Sequence, residues 1–223
     1  MSAWRRQRRA RRREHRGAPA RIGADPIGSR RCPRVVGYRL LRRSITGLAD
    51  PVLILTGPPG AGKTTTARLL ATESERSVHL EADWFFRVVN AGYVEPSKPE
   101  SHEQNVTVMR VVAAAAAGYA DGGYFTIIDG IISPDWFLAP LRASLNAAGH
   151  RVAYAVLRPP LATCIARVSE RESGLRADVV EQLWREFADM GQLERHVIEN
   201  DVSGAAAAAR ELQQRLQDGR LHV

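Results

Sequence analysis

The sequence predicts an α/β domain in three layers, a parallel five-stranded sheet with helices on both faces, over residues 49–220. Three observations predict it. Short apolar runs alternate with stretches of helical composition along the whole segment. The connections hold ten residues or more, the length a parallel crossover needs. The first apolar run ends directly in a glycine-rich turn that opens a helix.

Val52–Thr56 is short and almost wholly apolar, as a strand buried on both faces reads. A helix is expected over 64–72, a second strand over 77–80 and a short helix over 83–91. Pro99 precedes a long helix to about residue 120, closed by Asp121, Gly122 and Gly123. The third strand runs over 124–128 and ends at Asp129. Pro134 then opens a helix stopped by Gly149. A fourth strand over 151–157 and a helix over 161–171 follow. After a polar break at 172–177, the pattern predicts a helix over 178–195, a last strand over 196–199 and a closing helix over 203–217. Leu183, Trp184, Phe187 and Met190 read as the apolar face of the helix over 178–195.

The net charge of +8 misleads as a whole-chain number. Residues 1–43 carry fifteen arginines against Glu14 and Asp25, a balance of +13, so the remainder carries −5. The excess charge therefore gives no reason to read the folded domain as a DNA binder. Residues 1–48 lack the apolar surface to offset their ordering entropy and are expected to be disordered. Three readings stand for this tail: a nucleic-acid-binding arm, an organellar transit segment, or translated leader upstream of the true start. The third is favoured, because thirty arginines beside only Lys63 and Lys98 suggest a GC-rich coding sequence. Cys32 and Cys164 fit neither a metal spacing nor a disulfide framework, which points to a reducing, cytoplasmic setting. No apolar run is long enough to span a bilayer, so no membrane partner is expected; the oligomeric state stays open.

Gly57, Pro58, Pro59, Gly60, Ala61, Gly62, Lys63 and Thr64 match G-x-x-x-x-G-K-[ST] at every constrained position. Glycines let successive N–H groups turn inward onto phosphate oxygens, and the following helix presents its positive end to them. Lys63 is expected on the β/γ-phosphates and Thr64 on Mg²⁺, with Thr65 beside them. The guanine-reading N-K-x-D pattern is absent, so the nucleotide is expected to be ATP.

Phosphoryl transfer further needs a metal site, cationic stabilisation and a group to activate the acceptor. Asp83 follows the second strand, where open α/β sheets bind ligands, and reads either as that base or as a helix cap. Trp84, Phe85 and Phe86 beside it are candidate walls of an acceptor pocket, or core. Asp129 ends an apolar strand as a magnesium-holding Walker B acid does, or serves as a turn residue before Gly130. Arg167 and Arg171 share a helix face and Arg176 follows; they are candidates to clamp the transferring phosphoryl group, or solvated charges. The polar residues 99–105 with Arg110 either line the acceptor site or cap a helix, and His79 reads as a core histidine.

On the P-loop, the acid at Asp83, the acid at Asp129 and the arginines at 167, 171 and 176, residues 51–217 resemble the small P-loop kinases, AAA-family ATPases of the shikimate, gluconate and adenylylsulfate kinase kind, and especially chloramphenicol phosphotransferase-like proteins. The resemblance implies a nucleoside-kinase-like P-loop NTPase fold with sheet order 2-3-1-4-5. It implies Asp83 at the acceptor hydroxyl of a small molecule, and arginines on a mobile lid at 172–177 closing over ATP. The chain departs from the pattern in its short lid and in Asp129 standing without a second acid. An ATP-binding regulatory or resistance protein that holds a ligand without phosphorylating it is the competing expectation.

Overall fold

The computed structural model describes residues 50–171, 175–201 and 204–223. The arginine-rich tail, and residues 172–174 of the expected lid, lie outside them.

Five parallel strands, β1 (Val52–Thr56), β2 (Ser77–Glu81), β3 (Phe125–Asp129), β4 (Val152–Leu157) and β5 (Val197–Ile198), form one sheet in the order β2-β3-β1-β4-β5. The helices are α1 (Lys63–Thr72), α2 (Ala82–Arg87), α3 (His102–Asp121), α4 (Ala139–Ala147), α5 (Leu161–Glu170), α6 (Ala177–Arg185) and α7 (Gly204–Gln217).

Alternation along the strands builds two cores. Val52 and Ile54 of β1, with Ile128, Tyr154 and Val156, pack under α3 and α4 through Val108, Val112, Leu141 and Leu145. Leu53 and Leu55, with Ile127, Ala153 and Ala155, pack under α1 and α7 through Ala67, Leu70, Leu212 and Leu216. Central strands buried on both faces account for the unbroken apolar runs in the sequence. Tyr154 lies in the first core with its hydroxyl donating to Ile132 O at 2.9 Å, and burial raises its phenol above the ordinary range. The last residues add an antiparallel bridge of His222 to Ala153 on the amino-terminal half of β4.

Three helices differ from expectation, of which the one expected over 83–91 already ends at Arg87. The expected helix over 178–195 stops at Arg185. Asp189 accepts from Gly191 N at 2.9 Å, Gly191 turns at φ +52°, and a 3₁₀ turn Gly191–His196 follows. Phe187 O and Ala188 O, left without helical partners, accept from Arg158 at 3.0 and 3.2 Å. Phe187 and Met190 are buried but lie beyond the helix end, so they are not on its apolar face. The segment after Pro134 is likewise not one helix: Pro134–Leu138 is a wide turn with Phe137 at φ +64°, and α4 begins only at Ala139. That turn stacks Trp136 edge-on against Phe137, centroids 4.8 Å apart, over the first core.

Candidate functional site

The loop after β1 owes its shape to contacts on both sides. A Cβ on Gly57 (φ +141°) would stand 2.1 Å from Leu157 O at the end of β4. One on Gly60 (φ +79°) would stand 2.5 Å from Cys164 O in α5. Gly62 caps α1 in the left-handed conformation at φ +90°. Asn200, two residues past β5 and buried, donates from Nδ2 to Ala61 O at 2.7 Å, while its buried Oδ1 has no protein partner. Arg167 reaches back from α5 to Gly60 O at 3.4 Å and to Asp201 O at 3.2 Å. The loop is thus tied to β4, α5 and the segment after β5 at once.

Lys63 donates to Gly57 O at 2.9 Å and Pro58 O at 3.1 Å, so its ammonium lies along the inside of the loop. Burial lowers its pKa, opposed by the charges of Asp129 and Asp83, while Arg171 adds to the lowering. Asp129, Asp83 and Arg171 are thus charged side chains whose fields reach Lys63. Burial also lifts the Cys164 thiol to about 11, against the pull of Lys63 and Arg167.

Thr64 Oγ1 donates to Asp129 Oδ2 at 2.6 Å, across 65 positions of sequence, and His79 Nε2 meets the same oxygen at 3.2 Å. Asp129 is 4% exposed, so this carboxylate is held between two donors in a nearly dry site. Register explains the meeting: β2 pairs with β3 so that His79 stands opposite Ile127 and Glu81 opposite Asp129, putting residues 79 and 129 on one face. Among the described residues no three His, Cys, Asp or Glu side chains cluster to hold a metal. The Thr64–Asp129 pair suits a magnesium ion, which takes one or two protein oxygens and completes its octahedron with water and phosphate.

The remaining expected residues differ in exposure and partners. Asp83 is exposed in the first turn of α2 and makes no cap bond. Arg171 is exposed just past α5. Arg176 is held by Asp178 through two bonds, 3.0 and 2.8 Å, on an exposed surface. Thr65 is exposed in the first turn of α1. The three aromatics do not form one wall: Phe86 is buried and Phe85 packs on the core, while Trp84 is 56% exposed with the Arg87 guanidinium 5.5 Å from its ring centre. Residues 99–105 act as a strap. Buried Ser101 and Asn105 both donate to Pro96 O, and Gln104 pairs with both backbone groups of Val94. Arg110 is exposed. Sequence reasoning passed over Asn200, which no motif marks, and assigned His79 to the core, where only the strand register could have linked it to Asp129.

A family model described as an AAA domain matches residues 52–192. The tunicamycin resistance protein of Deinococcus radiodurans is similar in structure, 20% identical, with a TM-score of 0.58, covering 75% of this chain and 95% of that one. A gluconokinase from Sinorhizobium meliloti 1021 is 15% identical with a TM-score of 0.57, covering 77% and 94%. A shikimate kinase from Acinetobacter baumannii is 19% identical with a TM-score of 0.52, covering 77% and 96%. These likenesses carry the fold, that of P-loop kinases. A Lon protease of Bacillus thuringiensis (strain Al Hakam) is 35% identical over 71 residues, and the match spans only 8% of that protease's length. No helix among the described residues is long and apolar enough to cross a membrane.

Proposed function

The chain belongs to the AAA domain family, and on that premise we propose that it is a phosphotransferase moving the γ-phosphoryl group of ATP to a hydroxyl of a small molecule. The observation that carries this reading is a pair of acids at the carboxyl ends of neighbouring strands: Asp129, ending β3 and bonded to Thr64, and Asp83, exposed in the first turn of the helix that follows β2. An ATP-binding protein without transfer needs the first acid alone. The second, solvent-facing acid at the carboxyl end of β2 is where an acceptor hydroxyl would lose its proton.

In this reading the loop N–H groups and the α1 amino end hold the phosphate chain, and Lys63 turns from the loop carbonyls to the β/γ-phosphates. Thr64 and Asp129 would hold magnesium, whose charge offsets that of the phosphates. Arg167, already on the loop, and Arg171 add positive charge as the phosphoryl group passes. Asp83 orients the acceptor and accepts its proton. The similarity to gluconate and shikimate kinases supports the reaction class and leaves the acceptor open.

Asp83→Asn separates binding from transfer. Acceptor-stimulated ATP turnover is expected to fall at least about 100-fold, within the range of general-base catalysis, with ATP affinity by calorimetry nearly unchanged. Undiminished turnover would remove Asp83 from this role.

A further inference from the structure

We propose that the protein carries a second ligand site, for a compact multianion bearing two or more phosphate or carboxylate groups, at the opposite end of the sheet from the P-loop. Arg195, Arg215, Gly219, Arg220 and His222 line one cleft of about 530 Å³ there. This volume lies within the range of small-molecule sites.

The lining comes from three separate pieces of chain: the 3₁₀ turn before β5, the last turns of α7, and the bridge to β4. Three guanidinium groups and an imidazole therefore converge through the fold, within a region whose balance from residue 44 onward is −5. Hydrogen bonds fix two of the arginines. Arg215 donates to Arg195 O at 3.0 Å and Val197 O at 2.9 Å and pairs with Glu211. Arg195 donates from Nε to His196 Nε2 at 3.2 Å, and among the described residues no acid pairs with it. His222 accepts at Nε2 from Arg151 at 3.3 Å, which leaves the ring's donor on Nδ1. Glu211 pairs with Arg215 and Asp218 with Arg220, so Arg195 is the lining arginine left without an acid among the described residues.

Gly219 closes the wall. It sits at φ +69°, and a Cβ there would stand 3.6 Å from the His222 ring, so a side chain would strain the turn and narrow the cleft. The guanidinium groups lining it are donors without acceptor capacity, which selects for anions, and three of them offer enough N–H groups for more than one anionic group. The position at the amino-terminal half of β4 separates this site from the nucleotide, so it does not depend on the reading of the P-loop.

The test uses the full chain and two probes, citrate and inorganic tripolyphosphate, titrated by calorimetry and followed by NMR at Gly219 and His222. Citrate binding that survives Lys63→Ala, shifts both resonances and weakens at least ten-fold in Arg195→Ala with Arg220→Gln supports the site. Tripolyphosphate alone giving that pattern would assign the ligand to phosphates, and citrate alone to carboxylates. Arg220, 57% exposed in a turn, is replaceable without loss of fold, so Arg220→Gln alone still reads out the cleft. Binding that leaves Gly219 and His222 unshifted, or is indifferent to both arginines, belongs to the P-loop or to the arginine-rich tail and overturns the proposal.

Discussion

Placing alanine at Gly60 and at Gly62 tests what shapes the loop, because the two positions share a backbone conformation and differ in surroundings. Both lie at left-handed φ, +79° and +90°, where a Cβ costs about 1–2 kcal/mol. At Gly62 the nearest atom to a new Cβ is Asn200 Nδ2 at 3.6 Å, ordinary contact, so the backbone cost stands alone. At Gly60 the new Cβ meets Cys164 O at 2.5 Å, and backbone must retreat by about 0.9 Å to reach ordinary contact near 3.4 Å. Overpacking of that kind adds about 1–3 kcal/mol. The sums are roughly 1–2 kcal/mol for Gly62→Ala and 2–5 kcal/mol for Gly60→Ala, or about 2–8 °C and 4–20 °C in Tm for a domain of this size. Thermal unfolding followed by circular dichroism measures both. Equal melting temperatures would refute the argument that α5 sets the loop, and would remove the reason Arg167 reaches Gly60 O.

Replacing His79 with leucine removes a donor to Asp129 Oδ2; the magnesium needed to half-saturate nucleotide binding should rise roughly ten- to hundredfold, as for other groups that orient a metal's ligand, while affinity measured in EDTA stays put. An unchanged magnesium requirement would return His79 to a purely structural role. Acid should destabilise the fold through His196. Burial, then the charges of Arg195 and Arg215, lower its pKa from 6.5, against the bond to Tyr154 O. The unfolded chain therefore binds the proton that the folded one resists, and stability falls as pH drops below 6.5 toward the folded value. The slope contributed is at most about 1.4 kcal/mol per pH unit. Urea midpoints from pH 7 to pH 5 should show it, with a flatter slope in His196→Gln; an identical slope there would assign the acid sensitivity elsewhere.

The P-loop and the five strands were readable because each rests on local composition: an apolar β1, glycines where φ turns positive, and crossovers of helical length; the strand order came only with the resemblance to small P-loop kinases. Boundaries failed where a side chain from elsewhere decided them. Arg158, about thirty residues upstream, satisfies the carbonyls that end α6 early, and no window of sequence contains both partners. The Asp189–Gly191 turn was written in the sequence but outvoted by an apolar periodicity that Phe187 and Met190 prolong. In the site, Thr64 and Asp129 could be singled out because each belongs to a motif, and the structure bonds them to each other. His79 belongs to none, and it reaches Asp129 only through the pairing of β2 with β3. The aromatic trio divided between the two readings because a helix starting at Ala82 turns Phe86 inward and Trp84 outward, a rotation that depends on where the helix begins.

The central claim is that ATP is consumed only when a hydroxylated acceptor is present and Lys63 is intact. Turnover of ATP with magnesium should be followed across a library of hydroxylated metabolites, antibiotics and nucleosides, with Lys63→Ala beside the natural chain. A phosphotransferase gives stimulation by one chemical class of acceptor, with label from the γ-phosphate appearing on that acceptor, and no stimulation in Lys63→Ala. Tight ATP binding without stimulation by any acceptor, or stimulated turnover that persists in Lys63→Ala, would contradict it.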